Sequence, residues 1–416
     1  MKNFYEKVLK WLNDVLSPKV SKFTQNPYVM AVQSAFQLIL PMILVGSIAN
    51  LVGTFRNFIH SIPDISIINQ YSFGLIGLFM AFVIPYNIME LKQQNRAKII
   101  AGFTGISVML ILTKPVIANG NITTNVGYLG TSGMTVGLIV GLLLGWIFSV
   151  YFKHGLFPKD TSLPSIVVVW FESIIPIIAM IAIAVCIKNT GVDLFALVEK
   201  GMEPIKTIAE SYFGFVILYF SMCLFYSLGL SAWAVYPIFF ALAIPNIAAN
   251  AALVAKGLGP IYINTIEVVF CGWCTFGGAG CTMPLNIQMI RSKSKRISSI
   301  GKVSIVPSIF NINEPVMYGL PVVWNPLMMI PYLLVSFIIP SLTYFVLKGG
   351  LVAIPARSFA MNYLPQPIAT FLTNYDFKGV IFWIILFIIA YMIYLPFFKV
   401  YEKQEIRKEK AETAEG

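Results

Sequence analysis

The chain has 416 residues, 57% of them hydrophobic and only 11% charged, with a formal net charge of +11. A soluble protein devotes roughly a quarter of its residues to charge, so this composition excludes a water-soluble globule. The basic excess falls in short loops and at the two ends, as membrane topology dictates, and no polar domain is left to form a nucleic-acid groove.

The first 27 residues carry charges throughout and lack the continuous apolar stretch of a cleavable signal. Phe4, Val8, Leu9, Leu12 and Leu16 recur at helical spacing. The pattern predicts an amphipathic helix lying on the membrane surface. Apolar runs of about 20 residues, enough to cross a hydrocarbon core of roughly 30 Å, then follow near 28–53, 70–90, 98–117, 133–152 and 164–187. Five more fall near 209–229, 233–255, 262–290, 326–347 and 379–398.

The loops orient these spans. Lys92, Arg96 and Lys98 follow the second, Lys153, His154 and Lys159 the fourth, and the run "RSKSKR" (291–296) the eighth. Lys399, Lys403, Arg407, Lys408 and Lys410 fill the C-terminal tail, whereas "VIANGNITTNVGYLGTS" carries no charge. Ten spans with both ends in the cytoplasm satisfy these biases. The expected fold is an all-α polytopic membrane protein of about ten transmembrane helices plus re-entrant hairpins.

Two features within the spans read as packing. Gly133, Gly137, Gly141 and Gly145 share one face of the fourth span, a spacing that admits another helix to backbone contact within or between subunits. Cys271 and Cys274 form "CGWC" in an apolar segment with no second pair and no nearby histidine. They read as packing cysteines rather than a metal or redox site, and no cofactor is expected.

From about residue 227 the apolar runs are interrupted by Gly, Pro and small polar residues, in "SLGLSAWAVYP", "TFGGAGCTMP" and "PSIFNINEPVMYGLP". Broken helices at membrane depth survive only where protein or a watery cavity satisfies the backbone, and in transporters they mark the substrate site. The first half therefore reads as scaffold and the second as the working part.

Glu314 stands out in that half, because an ionisable group at membrane depth is by default functional. The alternative is a helix-end position near the interface, paired with the basic run 291–302. Pro307 and Pro315 bracket the acid, so the segment cannot be one continuous helix. A hairpin tip there would gather Asn311, Asn313 and Glu314 with free backbone amides. Carboxylate and carboxamide groups together suit a polyhydroxylated ligand, whose hydroxyls both donate and accept. Gly277, Gly278 and Gly280 of "FGGAGCT" permit close backbone approach and positive φ one span earlier.

The stretch "SKSKRISSIGKVSIVPSIFNINEPVMYGLPVVWNP" is similar to the signature of enzyme IIC subunits of the bacterial sugar phosphotransferase system. "FGGAGCT" and "LPSIVVVWFESIIP" (163–176) resemble further landmarks of the lactose/cellobiose/diacetylchitobiose type. The likeness covers nearly the whole chain. It implies a homodimeric multi-pass protein of the bacterial plasma membrane that translocates a sugar, plausibly a β-linked disaccharide, coupled to its phosphorylation. Residues 1–27 would be the interfacial helix, 28–190 a five-helix interface domain, 191–398 the transport domain with re-entrant hairpins, and 399–416 a cytoplasmic tail. No carrier cysteine or histidine domain is evident, so the enzyme IIB and IIA phosphocarriers are expected to be separate partners, with membrane lipids surrounding the spans.

Residue by residue, the resemblance makes Glu314 the group that binds the acceptor hydroxyl and acts as general base. Asn313, with Asn311 beside it, and the backbone at Gly277 and Gly278 would meet the sugar. "NYDFKG" (374–379) falls at a Gly-Asp-Trp element, which gives Phe377 the place of a stacking tryptophan. One departure matters. The family's Gly-Ile-His-Gly segment is "GLSA" here, so Ser231 stands where a histidine is expected, with Trp233 nearby as a possible stacking face. His60 and His154 lie in expected loops. This leaves open a sugar-binding or sensing protein, or an uncoupled carrier, on the same fold.

Overall fold

In lipid a backbone must satisfy its own polar groups, so long apolar runs fold as helices. The computed structural model describes residues 22, 25–56, 59, 61–157, 164–230 and 235–415. Most of the proposed N-terminal amphipathic helix, together with His60, Ser231 and Trp233, lies outside the described residues. The chain divides into two compact units, 1–204 and 205–416.

The first unit contains α1 (Pro27–Phe55), α2 (Ser66–Tyr71), α3 (Ile76–Leu91), α4 (Lys98–Leu112), α5 (Met134–His154) and α6 (Ser165–Asn189). Its core is apolar side chains from four of these, among them Ala81, Met89, Met109, Leu144, Phe148 and Met180. The glycine face of α5 packs inside the unit. A Cβ on Gly137 would overlap the Gly77 carbonyl of α3, one on Gly141 would lie 2.9 Å from the Ile84 Cβ, and one on Gly145 2.5 Å from Ile88. Gly105 of α4 meets the Ala81 carbonyl of α3 in the same way. Small residues thus let α4 and α5 approach α3 to backbone contact.

The third expected span is shorter than its apolar run suggested. After α4, Val116–Ala118 (β1) pairs antiparallel with Asn121–Thr123 (β2). Asn119 and Gly120 turn between them at φ of 52° and 77°, the left-handed pair that a tight hairpin requires. A second boundary device follows α6. The Asp193 carboxylate accepts from the N–H groups of Phe195 and Ala196, at 3.0 and 3.2 Å, and from the Tyr128 hydroxyl at 2.7 Å. The Tyr128 hydrogen bond, aided by those N–H groups, holds this carboxyl below its usual range.

The division between units falls inside α7 (Leu194–Glu210), which is followed after an 81° bend by α8 (Tyr212–Ser227). The second unit continues with α9 (Tyr236–Ala255), a π-helical turn at Glu267–Gly272, α10 (Met283–Ile290), α11 (Lys295–Ile309) and α12 (Glu314–Gly319). α13 (Pro326–Lys348), α14 (Ile368–Asn374) and α15 (Phe377–Glu415) complete it. Among the described residues, eight helices are long and apolar enough to cross a membrane, or nine if the bent α7–α8 pair counts as one span.

The shortfall against ten spans has a specific cause. The apolar run 262–290 is not a continuous helix but the π-helical turn, a glycine loop and the eight-residue α10. Gly277, Gly278, Gly280 and Cys281 all take positive φ, which breaks helical hydrogen bonding. α15 runs unbroken to Glu415, through the residues expected to form the charged tail.

Candidate functional site

A broken segment at membrane depth exposes carbonyls and N–H groups that must find partners. Around "CGWCTFGGAGC" the partners are side chains from distant helices. Gln366 donates to the carbonyls of Cys271 and Thr275 at 3.3 and 3.0 Å, and Thr370 to that of Gly272 at 2.9 Å. The Tyr219 hydroxyl accepts from the Gly280 N–H at 3.0 Å and donates to the Cys274 carbonyl, while Tyr394 donates to the Gly280 carbonyl at 2.7 Å. The cysteines belong to this packing: Cys271 and Cys281 are buried and their thiols face the carbonyls of Phe359 and Cys274.

The Asn-Glu-Pro segment closes on this loop. α11 ends at Ile309, the chain turns at Asn311 with φ of 61°, and α12 starts at Glu314. Asparagine is one of the few residues that take this left-handed conformation readily. Its amide points inward rather than toward a ligand. Asn311 Oδ1 accepts from the N–H of Gly277 at 2.8 Å and Gly278 at 3.4 Å, and Nδ2 donates to the Asn362 carbonyl at 2.8 Å. Asn311 is thus a latch between three chain segments.

Asn313 is half committed. Its Nδ2 donates to the Ala279 carbonyl at 2.8 Å, and a Cβ on Gly278 would overlap its side chain. Its Oδ1 has no hydrogen bond among the described residues. Glu314 comes next, exposed and without an ion pair among the described residues. The basic run 291–296 does not reach it. Glu402 accepts from Ser292 Oγ and the Lys293 N–H, at 2.7 and 2.8 Å, and Glu409 from Ser294 Oγ and the Arg296 N–H, at 2.7 and 2.9 Å. Glu405 pairs with Arg296 at 3.2 Å. The interfacial salt-bridge alternative for Glu314 thus gives way to a clasp between α15 and the α10–α11 loop.

Three tyrosines that sequence reasoning did not single out lie in the neighbourhood of Glu314. Tyr226 and Tyr236 both lie within electrostatic reach of the carboxylate. Tyr318 stands one turn after Glu314 on α12, and the Tyr226 ring meets it edge-on at 6.4 Å. Tyr236 sits edge-on to Phe270 at 5.4 Å, which ties this cluster to the glycine loop. A tyrosine in an apolar run reads as packing, so only its neighbours could have flagged it.

Phe377 opens α15, 73% exposed, with its ring 4.8 Å from that of Phe371. No contact described above joins it to the latch. The adjoining Asn374 and Asp376 grip Ala353, through its carbonyl at 2.7 Å and its N–H at 3.1 Å.

A glycine loop and an Asn-Glu-Pro turn latched together, in a chain whose apolar helices are long enough to cross a membrane, define a polytopic membrane protein. The profile described as "Phosphotransferase system, EIIC" matches residues 33–336. The chain belongs to that family. It is 25% identical to the oligo-beta-mannoside-specific EIIC component of Bacillus subtilis (strain 168), over 97% of this chain and 96% of that one. It is 26% identical to the lactose-specific EIICB component of Lacticaseibacillus casei, over 96% of this chain and 72% of that one. Among solved structures it resembles the transporter ChbC, the IIC component from the N,N'-diacetylchitobiose-specific phosphotransferase system. The TM-score is 0.84 at 24% identity, with 96% of this chain and 99% of that chain covered. This likeness fixes the fold.

Proposed function

We propose that the protein is the sugar permease subunit of a phosphotransferase system, and that Glu314 and Asn313 bind a β-linked disaccharide as it crosses the membrane. The observation that carries this reading is the unpaired Glu314 carboxylate next in sequence to Asn313, whose Oδ1 is free, on a turn that Asn311 latches to the glycine loop. A carboxylate accepts from sugar hydroxyls without a competing protein partner. Relatives named for lactose, cellobiose and oligo-beta-mannoside support the choice of sugar class.

Enzyme IIB, charged in turn by IIA, supplies the phosphoryl group. The sugar hydroxyl oxygen attacks the phosphorus of a IIB phosphocysteine, the P–S bond breaks, and cysteine leaves as thiolate. Glu314 takes the hydroxyl proton as the P–O bond forms, a role for a carboxylate within hydrogen-bond reach. Gly277 and Gly278 shape the wall behind the sugar, and Phe377, Ser231 and Trp233 are further candidates for its edge. The first unit serves as the dimer scaffold, and both termini face the cytoplasm, where the basic loops lie.

The test is reconstitution in vesicles with cellobiose, lactose and diacetylchitobiose, with and without phosphorylated IIB. Sugar phosphate should appear only with the donor, and Glu314→Gln should reduce its formation by about 10²–10⁴-fold, the usual contribution of a general base. Uptake that proceeds equally without donor would refute the coupling. Binding without any transport would favour a sensing protein on this fold, a reading that Ser231 at the expected histidine position keeps in view.

A further inference from the structure

The Tyr226 side chain is buried to 9% exposure, yet its hydroxyl has no hydrogen-bond partner among the described residues. Leaving such a group unpaired costs about 1–3 kcal/mol, so a protein that keeps it has a reason besides packing. Packing alone would be served by phenylalanine.

The placement of the phenol supplies the reason. Tyr226 is the penultimate residue of α8, and the carbonyl of the last, Ser227, accepts from the Trp324 N–H at 3.1 Å, which ties this helix end to the chain just beyond α12. Its ring lies edge-on against Tyr318. Tyr318 and Glu314 are four residues apart on α12 and so share one face. The Tyr226 ring therefore lies against the face of α12 that carries Glu314, and the Glu314 carboxylate acts electrostatically on the phenol.

We infer that Tyr226 is a sugar-binding residue whose hydroxyl donates to the same region of the ligand that Glu314 grips. The inference rests on the sugar-site reading of Glu314. The two groups are complementary. A carboxylate can only accept, so it takes the proton of a sugar hydroxyl, while a phenol donates to an oxygen lone pair. A hydroxyl meeting both is oriented with its lone pair and its proton each engaged. Ser231 stands where the resemblance leads one to expect a histidine, which makes a donor from α8 the more consequential.

The experiment is calorimetric titration of the full-length protein in detergent with cellobiose, lactose and diacetylchitobiose, comparing wild type, Tyr226→Phe and Glu314→Gln. For whichever disaccharide binds, Tyr226→Phe should raise Kd about tenfold or more, as expected when a buried donor is lost from a ligand. The sugar-free Tyr226→Phe protein should melt at the wild-type temperature or above it, because no protein partner is removed. Among mono-deoxy analogues of that disaccharide, one should bind wild type and Tyr226→Phe with equal affinity, which identifies the hydroxyl the phenol meets.

Unchanged Kd in Tyr226→Phe, with Glu314→Gln impaired, overturns the role of Tyr226 and leaves the sugar site standing. A lower melting temperature with unchanged Kd likewise overturns it and makes the hydroxyl structural. If wild type binds none of the three disaccharides, the sugar-site reading fails and the role of Tyr226 fails with it.

Discussion

Asn311 and Glu314 are three residues apart and differ in what they touch: one is paired with protein, the other exposed. The Asn311 amide is spent on protein: it pairs with the glycine loop on one side and Asn362 on the other. Replacing it with alanine orphans the Gly277 N–H and the Asn362 carbonyl, at about 1–3 kcal/mol for each buried group. Asn311→Ala should therefore lower the melting temperature clearly and abolish sugar binding, whereas exposed Glu314→Gln should lower binding alone. Differential scanning fluorimetry on the two variants makes the comparison, and equal melting temperatures would contradict the latch. The contrast was only half legible in the sequence. A carboxylate in an apolar run announces itself by its charge, but an asparagine looks the same whether it faces ligand or backbone. Tyr226 was less legible still, since what marks it is a missing partner.

At the scale of the element, continuous apolar runs fold as helices because hydropathy and length suffice to demand it. The run 262–290 defeats that argument. Its glycines and small residues are as apolar as a helix needs, and the side chains that complete the broken backbone, Tyr219, Gln366 and Tyr394, lie far away in sequence. The hairpin at Asn119-Gly120 did leave a local signal, an Asn-Gly pair, hidden by the apolar residues around it. The glycine face of α5 was recognisable from spacing, but only the fold shows that its partner is α3 of the same unit. Gly137→Leu forces a side chain into the Gly77 carbonyl and should cost 1–3 kcal/mol or more as overpacking. Gly53→Leu is the control, since nothing lies within 4 Å of a Cβ there. Size-exclusion profiles after mild heating should show Gly137→Leu aggregating first; similar behaviour of the two would contradict backbone contact at Gly137.

For the molecule as a whole, the acids of α15 are as informative as its bases. Glu402 and Glu409 accept from the backbone N–H groups of Lys293 and Arg296, and Glu405 pairs with the Arg296 guanidinium. Carboxylates belong at such a helix start, where unpaired N–H groups and the helix dipole favour negative charge. Deleting 399–416 removes all three acids, so the exposed tryptic sites between Arg291 and Arg296 lose the hydrogen bonds that hold their backbone rigid. Limited proteolysis should then cut the truncated protein several times faster than the full chain, and equal rates would mean the clasp contributes no protection.

The latch at Asn311 also has a consequence for how the protein is made. Its three members emerge from the ribosome in order, the glycines at 277 and 278 first, Asn311 next and Asn362 last. Until residue 362 has been synthesised and brought into place, the amide has only one of its two anchors. The latched loop is thus among the late-completed parts of the chain, because its second anchor lies in the last part to be synthesised.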